Sequence, residues 1–323
     1  TTAAASTAVH TVIFTGDLNT GAADATIIVT ADTNSSTTTT VKVGGDVTGV
    51  VTLDDTASQG QVTFELTGVG STVNQSINGT ADEEGILKIS GAGATLTGKV
   101  GTTGTTALLG IDVDATATFS ESSEAKNYTV DADTTFTGAV TANTAFTINT
   151  SADVILTAAS DLSLATVTTG TLTANALLTT SDLINTAGKV FLNVKNNEMG
   201  VGRYAAGNGA ELHVGKAFVT TDVILIGDDA NGGATDFHSG SKIYLPANLT
   251  SGETLKMTDS GAWDATDGNA STAAAAITVT LQDTALVDFT AAAAVGATDI
   301  VITAVDRTAS VIATQLGVTS DTV

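Results

Sequence analysis

The residues best suited to chemistry in this chain lie in one loop. Residues 227–236 read GDDANGGATD and follow the strand-like run DVILI. Asp228, Asp229, Asn231 and Asp236 offer carboxylate and amide oxygens on a glycine-softened backbone, which is what a hard cation such as Ca²⁺ asks for. The spacing is not that of an EF-hand, because no bidentate Glu closes the loop, and it is not the calcium-binding nonapeptide repeat. These four residues are the candidate metal site, with Ca²⁺ as the expected ion. The plainer alternative is an exposed hairpin loop in an acidic protein. A second acidic loop, Asp259, Asp264, Asp267 and Asn269 around Trp263, has the same donor chemistry.

Other combinations lead less far. Asp112 and Asp114, and Asp131 and Asp133, stand two residues apart, which puts each pair on one face of a strand. Paired carboxylates can do acid–base work, but strand-end or ionic contacts are the expectation here. Glu211 and His213 also share a face, and His10 and His238 complete the histidines; zinc would require at least three such ligands to converge. There is no cysteine, no Gly-x-Ser-x-Gly elbow and no Walker A loop. Lys42 and Lys88 sit inside strand-like runs, where isopeptide bonds to neighbouring acids are conceivable and outward-facing lysines are the simpler reading. We expect no catalytic centre and no enzyme.

The elements that carry these residues are strands. Thr and Val abound, aromatics are 4% and there is one proline, so the turns fall to Gly, Asn, Asp and Ser. Period-two alternation is clear at Val41 and Val43, at Val62, Phe64 and Leu66, and at Leu87 and Ile89. From Asp133 to Thr173 a strand-turn unit recurs every eight to ten residues or so, and no sustained helical periodicity occurs before Ser160. The expected fold is all-β: many short strands forming a β-solenoid (β-helix) or a β-sandwich in the N-terminal part, then a second β-rich domain with a short C-terminal helix. That helix is predicted over DRTASVIATQLGVT, capped by Asp306 or Thr308 and stopped by Gly317. The domains are expected at 1–195 and 196–323, where the texture becomes that of longer strands and loops.

The net charge of −23 repels phosphate backbones and excludes nucleic acid as a natural partner. No apolar run is long enough to span a bilayer. The start TTAAAS without Met fits a mature product whose leader has been removed, and the end at GVTSDTV reads as an interruption of a longer chain.

The runs ADTTFTGAVTANTAFTINTSADVILTAA, VGGDVTGVVTLDD and GQVTFELTGVGSTVNQSING give residues 38–190 a texture that resembles the passenger regions of bacterial autotransporters. It looks most like the rickettsial outer membrane protein B type and the Thr/Ala/Gly-rich S-layer proteins. No catalytic residue carries over, and residues 1–323 are not expected to include the membrane barrel of an autotransporter. The resemblance implies a β-helical or β-rich surface protein, an adhesin or a crystalline coat.

The expected function is a structural cell-surface protein, secreted and self-assembling as an S-layer or extracellular filament subunit. Its partner would be itself, by donation of the lysine- and arginine-free N-terminal strand (Thr1 to Leu18) or through Ca²⁺-bridged contacts. Alternatives are an adhesin passenger binding a glycan or host protein, with Tyr204, Tyr244 and Trp263 as the stacking set, and a viral capsid or fibre protein. A surface glycan or an outer-membrane anchor is a further possible partner.

Overall fold

The computed structural model describes residues 9–21, 25–31, 37–55, 60–102, 104–193, 201–207 and 209–214, and then strands at 223–226, 235–237, 242–245, 254–258, 278–281, 287–292, 299–306 and 319–321. Within them the chain is all-β, with no helix. No helix among them is long and apolar enough to cross a membrane. The chain divides into two compact units, Thr1–Ala158 and Ala159–Val323. The change of texture near Asn196 falls within the second.

The first unit is a parallel β-solenoid. Its coils follow one another as β1 (Val9–Phe14), β2 (Leu18–Asn19) and β3 (Thr26–Thr30); β4 (Thr38–Val43), β5 (Val47–Thr48) and β6 (Val50–Asp54); β7 (Gln61–Leu66), β8 (Thr72–Val73) and β9 (Ile77–Gly79). Two-stranded coils then follow: β10 (Ile86–Ile89) and β11 (Ala94–Leu96); β12 (Leu108–Val113) and β13 (Ala117–Phe119); β14 (Ser123–Val130) and β15 (Thr134–Phe136); β16 (Val140–Ile148) and β17 (Asp153–Leu156). Strands of like position stack into three sheets: β1-β4-β7-β10-β12-β14-β16, β2-β5-β8-β11-β13-β15-β17, and β3-β6-β9. The third side continues as single bridges from Ile77 to Val100 and from Val100 to Ser123. A sandwich built from hairpins would pair strands that are neighbours in sequence and antiparallel. Here each strand's partner lies one coil away and runs parallel, so the solenoid is the fold.

Alternation explains why these residues make coils. In most strands every second side chain points inward, and stacking puts like positions above one another. One inward ladder runs Val12, Val41, Phe64, Leu87, Ile111, Tyr128 and Phe146. A second, from the facing sheet, runs Leu18, Val47, Val73, Leu96, Phe119, Phe136 and Leu156. All but the first-coil members are buried. Partners along the first ladder are 23 residues apart from Val41 to Leu87, then 24, 17 and 18. The coil shortens as the third side is lost, and the aromatic residues concentrate where it shortens. Phe119 stacks on Phe136 at 4.6 Å, and Tyr128 and Phe146 meet Phe136 at 6.1 and 6.0 Å.

At one corner successive backbones nearly touch. A Cβ added at Gly68 would collide with the Gly44 carbonyl oxygen, and one at Gly91 with that of Gly68. Outward positions are filled differently: Thr72, Thr95, Thr118 and Thr135 form a ladder on the second sheet.

The second unit has the same parallel stacking. Its strands are β18 (Ser160–Leu162), β19 (Leu164–Val167), β20 (Thr171–Ala174), β21 (Leu178–Asn185), β22 (Lys189–Leu192), β23 (Val201–Ala206), β24 (Glu211–Val214), β25 (Val223–Ile226), β26 (Thr235–Phe237), β27 (Lys242–Leu245), β28 (Thr254–Thr258), β29 (Thr278–Leu281), β30 (Val287–Ala292), β31 (Asp299–Asp306) and β32 (Thr319–Asp321). β18 and β19 both pair with β21, which continues to β23 and β26, while β20-β22-β24-β27-β29-β32 forms a second sheet. A third, β25-β28-β31-β30, ends in antiparallel pairings. Inside this unit Asn185 is fully buried. Its Nδ2 donates to the Tyr204 hydroxyl oxygen and the Glu211 carbonyl, at 3.2 and 3.1 Å, and its Oδ1 accepts from the Gly188 N–H at 2.9 Å. All its hydrogen-bonding capacity but one lone pair is thereby engaged. The expected C-terminal helix, residues 307–317 beyond its Asp306 cap, lies outside the described residues.

Candidate functional site

The chemistry-bearing side chains of the first unit gather on the outer face of its first sheet. Register places Ile13, Lys42, Glu65, Lys88 and Asp112 above one another. From Lys42 onward the charges alternate in sign along the stack. Lys42 Nζ lies 2.7 Å from Glu65 Oε2, and the Ser90 hydroxyl donates to Glu65 Oε1 at 2.6 Å. Lys88 Nζ lies 2.6 Å from Asp112 Oδ2 and 2.5 Å from Asp114 Oδ2. Burial alone would raise Glu65, but the bonds from Lys42 and Ser90 and the charges of Lys42 and Lys88 hold its carboxyl below the ordinary value. Burial likewise opposes charge on Lys88, and the two aspartates overcome it and hold its amine above the ordinary value. The Lys88 amine so held is protonated and serves as the ion-pair partner of the two aspartates, and Lys42 pairs with Glu65. Opposite charges one coil apart fix the stacking register.

Asp131 joins this cluster from the next coil. Carboxylate oxygens of Asp112, Asp114 and Asp131 all lie within 4.8 Å of one another, the distance range of a shared cation. The cation already bound to two of them is the Lys88 ammonium. The i, i+2 pairing of Asp112 with Asp114 was legible from sequence; the arrival of Asp131 was not, because it depends on coil length. Asp133 does not join. Its Oδ1 accepts from the Asp153 N–H at 2.9 Å and closes a corner.

In the second unit, β22, β24 and β27 bring Phe191, His213 and Tyr244 into register. Their rings form a continuous stack, 4.1 Å from Phe191 to His213 and 4.2 Å from His213 to Tyr244. Glu211 Oε2 lies 3.2 Å from His213 Nε2 and 3.5 Å from Lys189 Nζ. The expected sharing of one face by Glu211 and His213 is present, and among the described residues no third acidic or histidine ligand converges with them. Burial in the stack is the main cause that lowers the His213 pKa, Lys189 adds to it, and Glu211 opposes it.

That lowering carries a sign. Between the ordinary histidine value and the depressed one, the unfolded chain binds a proton that the folded chain refuses. Stability of the second unit therefore falls as pH drops from about 6.5 through the folded value, then levels. Thermal melts at pH 7 and pH 5 are expected to show this loss, and His213→Phe, which keeps the stack, is expected to reduce it. An unchanged pH response in His213→Phe would contradict this assignment.

Asp228, Asp229 and Asn231 lie outside the described residues, as do Asp259, Trp263, Asp264, Asp267, Asn269 and His238. Asp236 lies in β26, at the register position of Ala205. Tyr204, expected as a surface for sugar stacking, is instead 1% exposed and buried with Asn185. It alternates inward, and the stacking set loses it. Tyr244 has one ring face against His213.

Compared with protein-family models, curated proteins and solved structures, the chain matches none.

Proposed function

We propose that this chain is a structural, self-assembling protein of the cell surface, a subunit of an S-layer or an extracellular filament, and that the first coil of its solenoid is an assembly contact. The observation that carries this reading is the state of β1. Val9, Val12, Ile13 and Phe14 are 69%, 48%, 64% and 38% exposed, and Ile28 of the same coil is 64% exposed. Val12 and Phe14 occupy inward ladder positions whose equivalents in the next coil, Val41 and Val43, are buried. The strand contains no Lys, Arg, Asp, Glu or Pro. Solenoid ends ordinarily carry polar caps, and sheet edges ordinarily carry charges, prolines or bulges that prevent pairing. Among the described residues β1 has none of these, and the occupant this reading assigns to it is another strand edge, supplied by a second copy. The texture shared with autotransporter passengers and S-layer proteins supports an extracellular setting, and the absence of cysteine agrees with stability drawn from stacking.

Ile13→Lys tests the reading. It places a charge at the centre of the strand, on its outward face, without touching the buried ladders. Size-exclusion chromatography with light scattering and negative-stain microscopy, with and without EDTA, is expected to show polymer or lattice for the unaltered chain and none for Ile13→Lys. An unaltered chain that stays monomeric under all conditions would favour the adhesin reading. Dissolution by EDTA would support Ca²⁺-bridged contacts, for which the Asp228 loop is the candidate named from sequence.

A further inference from the structure

A cavity of about 100 Å³ opens in the first unit where three segments meet. Lys99, Gly101 and Thr102 line it from the bend around Val100, Ser122, Ser123 and Glu124 from the start of β14, and Ala139 and Thr141 from the start of β16. The segments are tied by backbone hydrogen bonds from Val100 N to Ser122 O, Ser123 N to Ala139 O and Glu124 N to Val100 O, at 3.1, 2.9 and 2.7 Å. The walls are therefore fixed.

Glu124 is 5% exposed. Its Oε1 accepts two long bonds from neutral donors, the Gly104 N–H at 3.4 Å and Asn143 Nδ2 at 3.3 Å. Its Oε2 is buried and has no hydrogen-bond partner among the described residues. A buried carboxylate ordinarily takes short, charge-assisted bonds or a cation. The side chain of Lys99 is exposed and forms no ion pair among the described residues. The other side chains that line the cavity and can bind a cation are the hydroxyls of Thr102, Ser122, Ser123 and Thr141. An oxygen lining around one carboxylate is the donor set of a hard cation. The space is that of roughly three waters, enough for an ion that keeps part of its hydration.

We propose that this cavity is a binding site for a hard cation of the Ca²⁺ class, with Glu124 as the charged ligand, the neighbouring hydroxyls and water completing the shell, and Lys99 as a competing positive charge at its mouth. It is separate from the Asp228 loop and from the Asp112, Asp114 and Asp131 cluster. One carboxylate makes the site weak, with Ca²⁺ dissociation in the range of roughly 10⁻⁴–10⁻³ M seen for extracellular modules.

Tyr128 makes the site observable. Its hydroxyl donates to Ser123 Oγ at 3.2 Å, directly in the wall. Terbium bound beside Glu124 is expected to emit when tyrosine is excited, and Ca²⁺ is expected to displace it. Tyr128→Phe should lose that component, and Glu124→Gln should weaken terbium binding in it by about ten-fold or more. Melting in EDTA establishes that each variant is folded. Lys99→Met, an exposed change, should tighten the same component. Emission equal to that of the unaltered chain in folded Glu124→Gln, no component that depends on Tyr128, or unchanged affinity in Lys99→Met would each overturn the proposal.

Discussion

Replacing Phe136 with alanine is expected to destabilise the first unit by about 3–5 kcal/mol. Phe136 is fully buried at the point where the two facing sheets converge. It stacks on Phe119, meets Tyr128 and Phe146 edge-on, and stands in the ladder between Phe119 and Leu156. The coils around it are the short ones, so the interior there is filled mainly by these four rings. Removing the central ring leaves a space its neighbours cannot close without breaking coil register. Denaturant or thermal unfolding of Phe136→Ala measures the loss. A cost under about 1 kcal/mol would show that the region relaxes freely and that the ladder does not set the core.

Alanine at Gly91 is expected to be comparably severe for a different reason. The added methyl group would meet the Gly68 carbonyl, which is backbone of the preceding coil and not a side chain that can rotate away. Overpacking of this kind commonly costs about 1–3 kcal/mol, and collision with fixed backbone belongs at or above the upper end. Gly16→Ala is the matched comparison: a Cβ there meets nothing within 4 Å. We expect Gly91→Ala to melt well below the unaltered chain and Gly16→Ala to melt beside it. Equal melting of both would mean that the coils can separate at that corner at little cost.

Glu65 of the charge ladder makes its own contribution to the acid response of the first unit, opposed by Asp55, whose burial raises its carboxyl above the ordinary value. Glu65 is held below its ordinary value, so its contribution is present at neutral pH and is lost as pH falls below about 4.5 through the folded value. The first unit should thus lose this stability at a lower pH than the one at which the second begins to feel His213.

The sequence made the strands legible and left their pairing open. Val62, Phe64 and Leu66 alternate in a way that says strand and inward face. The same alternation fits a hairpin sandwich, because period two carries no information about which strand is the neighbour. The eight-to-ten-residue rhythm is real, but it measures one side of a coil. The coil itself could have been read from the charges: Lys42, Glu65, Lys88 and Asp112 recur at 23, 23 and 24 residues with alternating sign. That periodicity is hidden because the coil later shortens and the ladder passes to Thr129. Clusters drawn from adjacent coils, such as Asp131 with Asp112, were invisible for the same reason. Sequence alone points Tyr204 outward because a lone tyrosine between glycine-rich loops gives no sign of the buried Asn185 it pairs with.

The exposure of β1 differs from these features in being a property of position. Its residues resemble those of β4, yet Val12 and Phe14 are exposed where their register partners Val41 and Val43 are buried. Hydrogen–deuterium exchange across a protein concentration series tests the assembly account most directly. Amides of Val9–Phe14 are expected to become protected as the chain assembles, with Ile13→Lys abolishing both the protection and the assembly. Assemblies that form while these amides exchange at an unchanged rate would contradict the account.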